Sequence, residues 1–282
     1  MNVRLIVDST ADVNPEIRDR LTVVPLTVHF GAEEYIDGVT ITHTEFYEKL
    51  IESDVLPSTS QATPAAFADA FEEVVEAGDC AVVLTVSAKL SGTCQSATIA
   101  AADYPDRIFV VDSHSVAVGL GILAELALQL IDSGMAAKDV AARLCAERDK
   151  VRLIALLDTL EYLKRGGRIS KATAFAGGIL SIKPVVSVQD GEIHTLGKAR
   201  GSKQGNNLLV AEIEKAGGVD FDKPVLLGYT GLSDVMLQKY IRDSEALWKN
   251  GTETLRYAAL GSVVGTHAGP GAVAAAFFKK NG

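Results

Sequence analysis

Hydroxyl, amide and basic side chains gather at four places in the 282-residue sequence. Pro57-Ser58-Thr59-Ser60-Gln61 sets three hydroxyls and an amide in succession, just ahead of Thr63-Pro64. Ser87-Ala88-Lys89-Leu90-Ser91-Gly92-Thr93 follows the apolar run CAVVLTV and precedes CQSATIAAA. A loop that leaves a strand and enters a helix offers unpaired backbone N–H groups and a partial positive charge, which favour an anion. Gly92 would let a head group approach the backbone closely. Both loops suit a carboxylate or a phosphate, although plain helix caps at Thr63 and Ser91 and a polar turn at Thr59–Gln61 would read the same way.

The third place is the basic stretch LKRGGRISK, Leu163 to Lys171, where Arg165 and Arg168 could grip a carboxylate or phosphate with paired N–H donors. KARGSK, with Arg200 and Lys203, is a second basic loop. Each could equally be a solvated turn. The fourth is Gly265-Thr266-His267-Ala268-Gly269-Pro270-Gly271, read as an irregular loop. His267 there could donate to an anion or pass a proton near neutral pH. His29, His43, His114 and His194 fall at expected strand ends and helix starts and read as structural.

Several chemistries lack their signatures. There is no H-E-x-x-H and no Cys/His cluster, so no metal site is expected. Cys80, Cys94 and Cys145 are scattered and read as small buried hydrophobes. G-x-S-x-G is absent. Gly191 to Lys198 misses P-loop spacing, and the G-x-G-x-x-A match at Gly119–Ala124 falls inside an expected helix. A formal charge of −9 and a pI near 5.1 argue against a nucleic-acid partner. No apolar run reaches the roughly 18–20 residues that span a bilayer, and the first ten residues read as a strand and turn rather than a signal peptide. A cytoplasmic protein without stable membrane insertion is expected.

The elements that must hold these groups alternate. Val3–Asp8, Val23–Phe30, Ala81–Val86, Ile108–Asp112 and Leu153–Leu157 read as strands. Helices are expected from a Thr42-x-x-Glu45 capping box, from Thr63-Pro64, from Ser91, near Val116 and near Ala137. Apolar strands alternating with helices imply a mostly parallel sheet with helices on both faces. The second half differs. KPVVSVQDGEIHTLGKAR reads as a hairpin turning at Asp190-Gly191. Then come a helix over Gln204–Ala216, a strand over Val225–Tyr229, a helix over Ser233–Lys249, a strand over Thr254–Ala259 and a short helix after Pro270. The expected fold class is α/β: an N-terminal α/β domain over 1–158 and a C-terminal α+β domain with a mixed sheet over 159–282, the junction between Asp158 and Lys183 and the domains free to exchange segments.

Taken in order, VDSTAD, Thr59-Ser60-Gln61, LSGTCQSA (Leu90–Ala97), VVDS, LEYLKRGGRIS (Leu160–Ser170), Lys183-Pro184 and GTHAGPGA (Gly265–Ala272) resemble the DegV family from residue 3 to about 278. Ala62 and Cys94 depart from it, standing where proline and an aromatic residue are frequent. The resemblance implies a two-domain DegV-like fold with a buried long-chain fatty acid as ligand and no cofactor. It also implies a carboxylate held by the hydroxyls at Thr59 and Ser91. Ser60, Gln61, Gly92, Thr93 and Gly265 belong to the same motifs, and Arg168, His267 and Arg200 are expected at the head group or its rim. The implied role is a non-catalytic carrier that presents the acid to an ATP-binding fatty acid kinase subunit. Arg165, Arg200 and Lys203 would then face that partner, with transient membrane contact possible in principle. Two other readings stay open: an acyl- or phosphoryl-transfer enzyme using Ser91 and His267, and a lipid transport or storage protein with no kinase partner.

Overall fold

The computed structural model describes residues 2–169, 182–249, 251 and 255–280. Its first sheet is parallel, in the order β2-β1-β6-β7: Leu21–Val24 (β2), Val3–Asp8 (β1), Cys80–Thr85 (β6) and Ile108–Asp112 (β7). Alternation along its strands splits the apolar side chains between two cores. Ile6, Ala81 and Val83 pack against Phe67, Phe71 and Ala97 from Pro64–Glu76 (α2) and Thr93–Ala101 (α3). Leu5, Val7, Val82 and Leu84 face Leu120, Leu123, Val140 and Leu144 from Ala117–Asp132 (α4) and Ala137–Glu147 (α5). All six residues of β6 are buried, as expected of a parallel strand covered on both sides.

A small antiparallel sheet joins Thr27–Phe30 (β3) to Glu33–Ile36 (β4) and Ser58–Ser60 (β5). The expected single strand Val23–Phe30 is therefore two strands in different sheets. Pro25 lies at the break, where it cannot donate a ladder hydrogen bond. Thr59, expected in a loop or polar turn ahead of a helix, stands in β5 opposite Val28. Between these elements His43–Glu52 (α1) starts at the Thr42/Glu45 capping box.

The larger sheet is mixed, in the order β10-β9-β8-β13-β11-β12. It comprises Glu192–Arg200 (β10), Ile182–Gln189 (β9), Val151–Leu156 (β8), Val273–Phe278 (β13), Leu226–Tyr229 (β11) and Arg256–Ala259 (β12). Asp190 and Gly191 both take positive φ, 51° and 80°, which is the two-residue turn their sequence calls for. The sheet is covered by Gly201–Lys215 (α7) and Val235–Asp243 (α8), with Glu245–Trp248 (α9) after Ser244. The expected continuous helix Ser233–Lys249 is thus two helices broken at Ser244.

Two expectations near the end of the chain are corrected. The residues after Pro270 form β13, not a helix: Val273–Phe278 sits between β8 and β11 with every residue buried. The helix comes earlier, at Ser262–Ala268 (α10), so His267 lies in a helical turn and not in an irregular loop. Ala-rich and β-branched segments exchanged their intrinsic preferences because tertiary packing decides both. Of the strand expected over Thr254–Ala259, Thr254 lies outside the described residues, as do Ser170 and Lys171 of the basic motif. β8 ends before Asp158 yet is hydrogen-bonded into the second sheet. We propose a domain division ahead of Val151.

Candidate functional site

Between the mixed sheet and the loops that follow β1 and β6 runs an apolar cavity of about 120 Å³. Its floor is one face of the mixed sheet. Ala155 of β8 pairs directly with Ala274 of β13, and both line the cavity with Leu153 and Val188. Two facing alanines leave a trough where larger residues would fill the space between strands. The roof comes from Leu26, Val86, Val116 and Val263. Of the 24 described residues around the cavity, the polar ones are Thr10, Thr59, Gln61, Ser91, Arg168 and His267.

Most of these polar groups come together. Thr59 Oγ1 lies 2.9 Å from His267 Nε2, joining β5 to α10. Gln61 donates to Ser96 Oγ at 2.9 Å. Gly92 makes that possible: a Cβ there would stand 2.0 Å from Gln61 Oε1. Ser91 Oγ lies 2.9 Å from Thr93 Oγ1 and accepts the Thr93 N–H at 3.3 Å, while Gly92 occupies the N-cap position expected of Ser91. Arg168 reaches across from Glu161–Arg165 (α6), donating from Nε to Leu90 O at 3.0 Å and from Nη1 to Gly166 O at 2.7 Å. Its guanidinium thus ties the loop of Ser91 to the basic motif.

His267 is held tightly. Gly166 leaves no room for a side chain, since a Cβ on it would lie 2.2 Å from His267 Nδ1. That Nδ1 is buried and has no hydrogen-bond partner among the described residues. Burial, assisted by the nearby Arg168 charge, lowers the pKa of His267 to about 4. The imidazole is therefore neutral at physiological pH. Among the described residues no carboxylate orients it, and its Nε2 faces Thr59, so the Ser–His–acid arrangement of a hydrolase is not what these bonds describe.

A second, outer cleft is lined by Leu56, Pro57, Ser58, Tyr162 and Arg165, and shares Thr59, Arg168 and His267 with the apolar cavity. The polar groups therefore form a wall between a greasy interior and an open, basic exterior. Arg165 is exposed and pairs with Glu161 at 2.7 Å. Other sequence candidates lie elsewhere. Ser60 points away from Thr59 and bonds His29 Nε2 at 2.8 Å. Gly265 lines neither cavity and instead allows α10 to touch Tyr47 and Phe46. Arg200 and Lys203, on β10 and α7, are exposed and line neither cavity.

Thr10 and Gly166 were missed as site residues by sequence reasoning. Thr10 belongs to VDSTAD, where Asp8 accepts its hydroxyl at 2.6 Å and its N–H at 2.9 Å. Asp8 also accepts the Val86 N–H at 2.6 Å, fixing the start of the loop that carries Ser91. An acid–hydroxyl pair directly after a strand was the available signal.

The profile of the DegV family, described as an uncharacterised protein family, matches residues 2–280. The chain belongs to the DegV family. A DegV family protein from Thermus thermophilus, described for its fatty acid binding, is 32% identical and superposes with a TM-score of 0.86 over 99% of this chain and 100% of its own. A stearic acid-binding protein from Eubacterium ventriosum is 28% identical, with a TM-score of 0.86 over 99% of both chains. The Streptococcus pneumoniae fatty acid kinase B3 protein, loaded with linoleic acid, shares the fold at 23% identity, with a TM-score of 0.85 over 99% of this chain and 100% of its own. The parallel sheet and mixed sheet are thus those of DegV structures. Among the described residues no helix is long and apolar enough to cross a membrane, and no cluster of His, Cys, Asp or Glu could hold a metal ion.

Proposed function

We propose that this DegV protein binds a long-chain fatty acid, with the tail in the apolar cavity and the carboxylate at Thr59, Ser91, His267 and Arg168. The observation that carries this reading is the wall itself: one set of hydroxyl, imidazole and guanidinium groups lines both the apolar cavity and the outer cleft. An amphiphile with one anionic end matches that division.

Magnitudes favour an acyl chain. At about 0.8 kcal/mol per buried CH₂, roughly 14 methylenes offer on the order of 11 kcal/mol before the costs of association. An unpaired buried carboxylate would cancel several kcal/mol of this. Thr59 and Ser91 donate their hydroxyl protons to it, and neutral His267, carrying its proton on Nε2, donates to Thr59 Oγ1 and so turns the Thr59 hydroxyl toward the head group. Arg168 contributes charge without leaving its backbone partners. The tail supplies affinity and the polar wall fixes the register of the head.

The carboxylate would then lie against the outer cleft, within reach of a separate ATP-dependent kinase subunit that converts it to an acyl-phosphate. Arg165 borders that cleft. Arg200 and Lys203 would extend the docking face. The chain acts here as carrier and not as catalyst.

The test is chemical. Protein purified from a bacterial host is denatured, extracted and its lipid identified, and intact protein is weighed by native mass spectrometry. One fatty acid per chain is expected. An empty cavity in every preparation, with no uptake of added palmitic acid, would overturn the reading. Combined Thr59→Ala and Ser91→Ala is expected to weaken uptake, and equal uptake would remove these two hydroxyls from the site.

A further inference from the structure

The helix that carries His267 begins at two carboxylates from distant parts of the chain. Gly261, just ahead of α10, donates its N–H to Asp12 Oδ1 at 2.8 Å. Ser262 donates its N–H to Asp37 Oδ1 at 3.3 Å, and its hydroxyl to the same oxygen. Tyr47 adds a third tie, donating to Leu260 O at 3.1 Å. A helix leaves its first N–H groups without intrahelical partners, and no adjacent side chain caps α10. Residues 249 and 225 positions away do so instead.

This arrangement is buried. Asp12, Asp37 and Ser262 are 7%, 6% and 1% exposed. A Cβ placed on Gly261 would lie 3.4 Å from Asp12 Oδ1 and 3.7 Å from both oxygens of Asp37, so the two carboxylates converge on one backbone position. Burial pushes both pKa values up, and the charges of Asp37 and Asp8 add to the effect at Asp12. Arg18 opposes it at both carboxyls, and Ser9 bonds Asp37. His43 lines a cavity beside the pair, and Tyr47 faces both acids. Holding two buried acids together is costly. Nothing in the head-group reading uses them.

Their leverage runs along α10. Gly265 N–H bonds Gly261 O at 2.8 Å and Thr266 Oγ1 bonds Ser262 O at 2.9 Å, so the short helix moves as one piece. We propose that Asp12 and Asp37 are positioning residues that, by holding the N–H groups of Gly261 and Ser262, set the place of α10 and hence the meeting of His267 with Thr59. The inference rests on the reading of Thr59, oriented by His267, as a ligand of a carboxylate.

The test compares palmitic acid with hexadecanol, which has the same chain length and no carboxylate, by competition on intact protein. Wild type is expected to prefer the acid. Asp12→Ala and Asp37→Ala are expected to lower that preference about tenfold, the scale of losing a cap, and Asp12→Asn and Asp37→Asn, which keep an acceptor oxygen, to restore it to within about threefold. A general structural role would weaken acid and alcohol alike; an unchanged preference in the alanine variants overturns the proposal. Asparagine variants as impaired as the alanine ones overturn it too. If the alanine variants do not fold, Ser262→Ala takes their place, with an expected loss of about threefold and no loss refuting. Failure of wild type itself to prefer the acid would instead sink the head-group reading.

Discussion

Replacing Gly166 by alanine tests the site through a single atom. The added Cβ would stand 2.2 Å from His267 Nδ1 and 2.7 Å from Cε1, whereas ordinary contact begins near 3.4 Å. The ring must therefore retreat by about 1.2 Å, the difference between the two, or turn. Its bond to Thr59, 2.9 Å long, does not survive such a shift. Gly166 has φ −69°, which alanine adopts freely, so the effect is a collision and not backbone strain. Loss of a buried hydrogen bond costs about 1–3 kcal/mol, which corresponds to about 5- to 150-fold weaker fatty acid binding. Gly167 is the control. It has φ +71° and a Cβ added there would meet nothing among the described residues within 4 Å, so Gly167→Ala should cost about 1 kcal/mol of stability and leave binding alone. Affinity for palmitic acid and thermal unfolding would be measured for both variants. Binding by Gly166→Ala within twofold of wild type, or a loss no larger than that of Gly167→Ala, refutes the reasoning.

Other outcomes follow from the same geometry. Ala274→Leu should fill the trough opposite Ala155 and shift extracted lipid toward shorter chains, at about 2 kcal/mol against the longest ones; an unchanged lipid profile would contradict this. By NMR, His267 should titrate near pH 4 in the unloaded protein, and a midpoint near 6.5 would show that it is not buried as described. Because the folded pKa lies below the unfolded one, the contribution of His267 to stability is present above about pH 6.5 and lost as pH falls toward 4. Asp12 has the opposite sign: its raised folded pKa gives a contribution fully present below about 3.8 and lost as pH rises. Asp12→Asn should accordingly raise the unfolding temperature more at pH 8 than at pH 4, and an equal change at both would remove Asp12 from this account.

Local chemistry made much of the fold readable. The Thr42/Glu45 capping box, Pro64 after Thr63 and the Asp190-Gly191 turn each act within a few residues, and each appears where its pattern lies. The hydroxyl loops were visible for the same reason. What escaped depends on distant partners. α10 carries Gly265 and β-branched Val263, Val264 and Thr266, poor helix formers, and its start is capped from residues 12 and 37. β13 reads as helix by its three alanines, yet central pairing with β8 and β11 makes it a strand. The meeting of Thr59 with His267, 208 residues apart, has no local signal. Gly265 was drawn into the site by sitting in a motif, whereas close packing on Tyr47 is what requires it.

β13 forms the middle of its sheet, yet its residues follow all the other described strands. Until it inserts, β8 and β11 have no partner on that side and the trough beneath Ala155 has no second wall. Pairings of this sequence separation are slow to form, because loop closure must precede the contacts that reward it. If the proposed function holds, a growing polypeptide on the ribosome cannot shelter an acyl chain part-way through synthesis. On that reading lipid capture belongs to the fully folded sheet, and the half-made sheet, with its apolar face uncovered, is the species most exposed to aggregation.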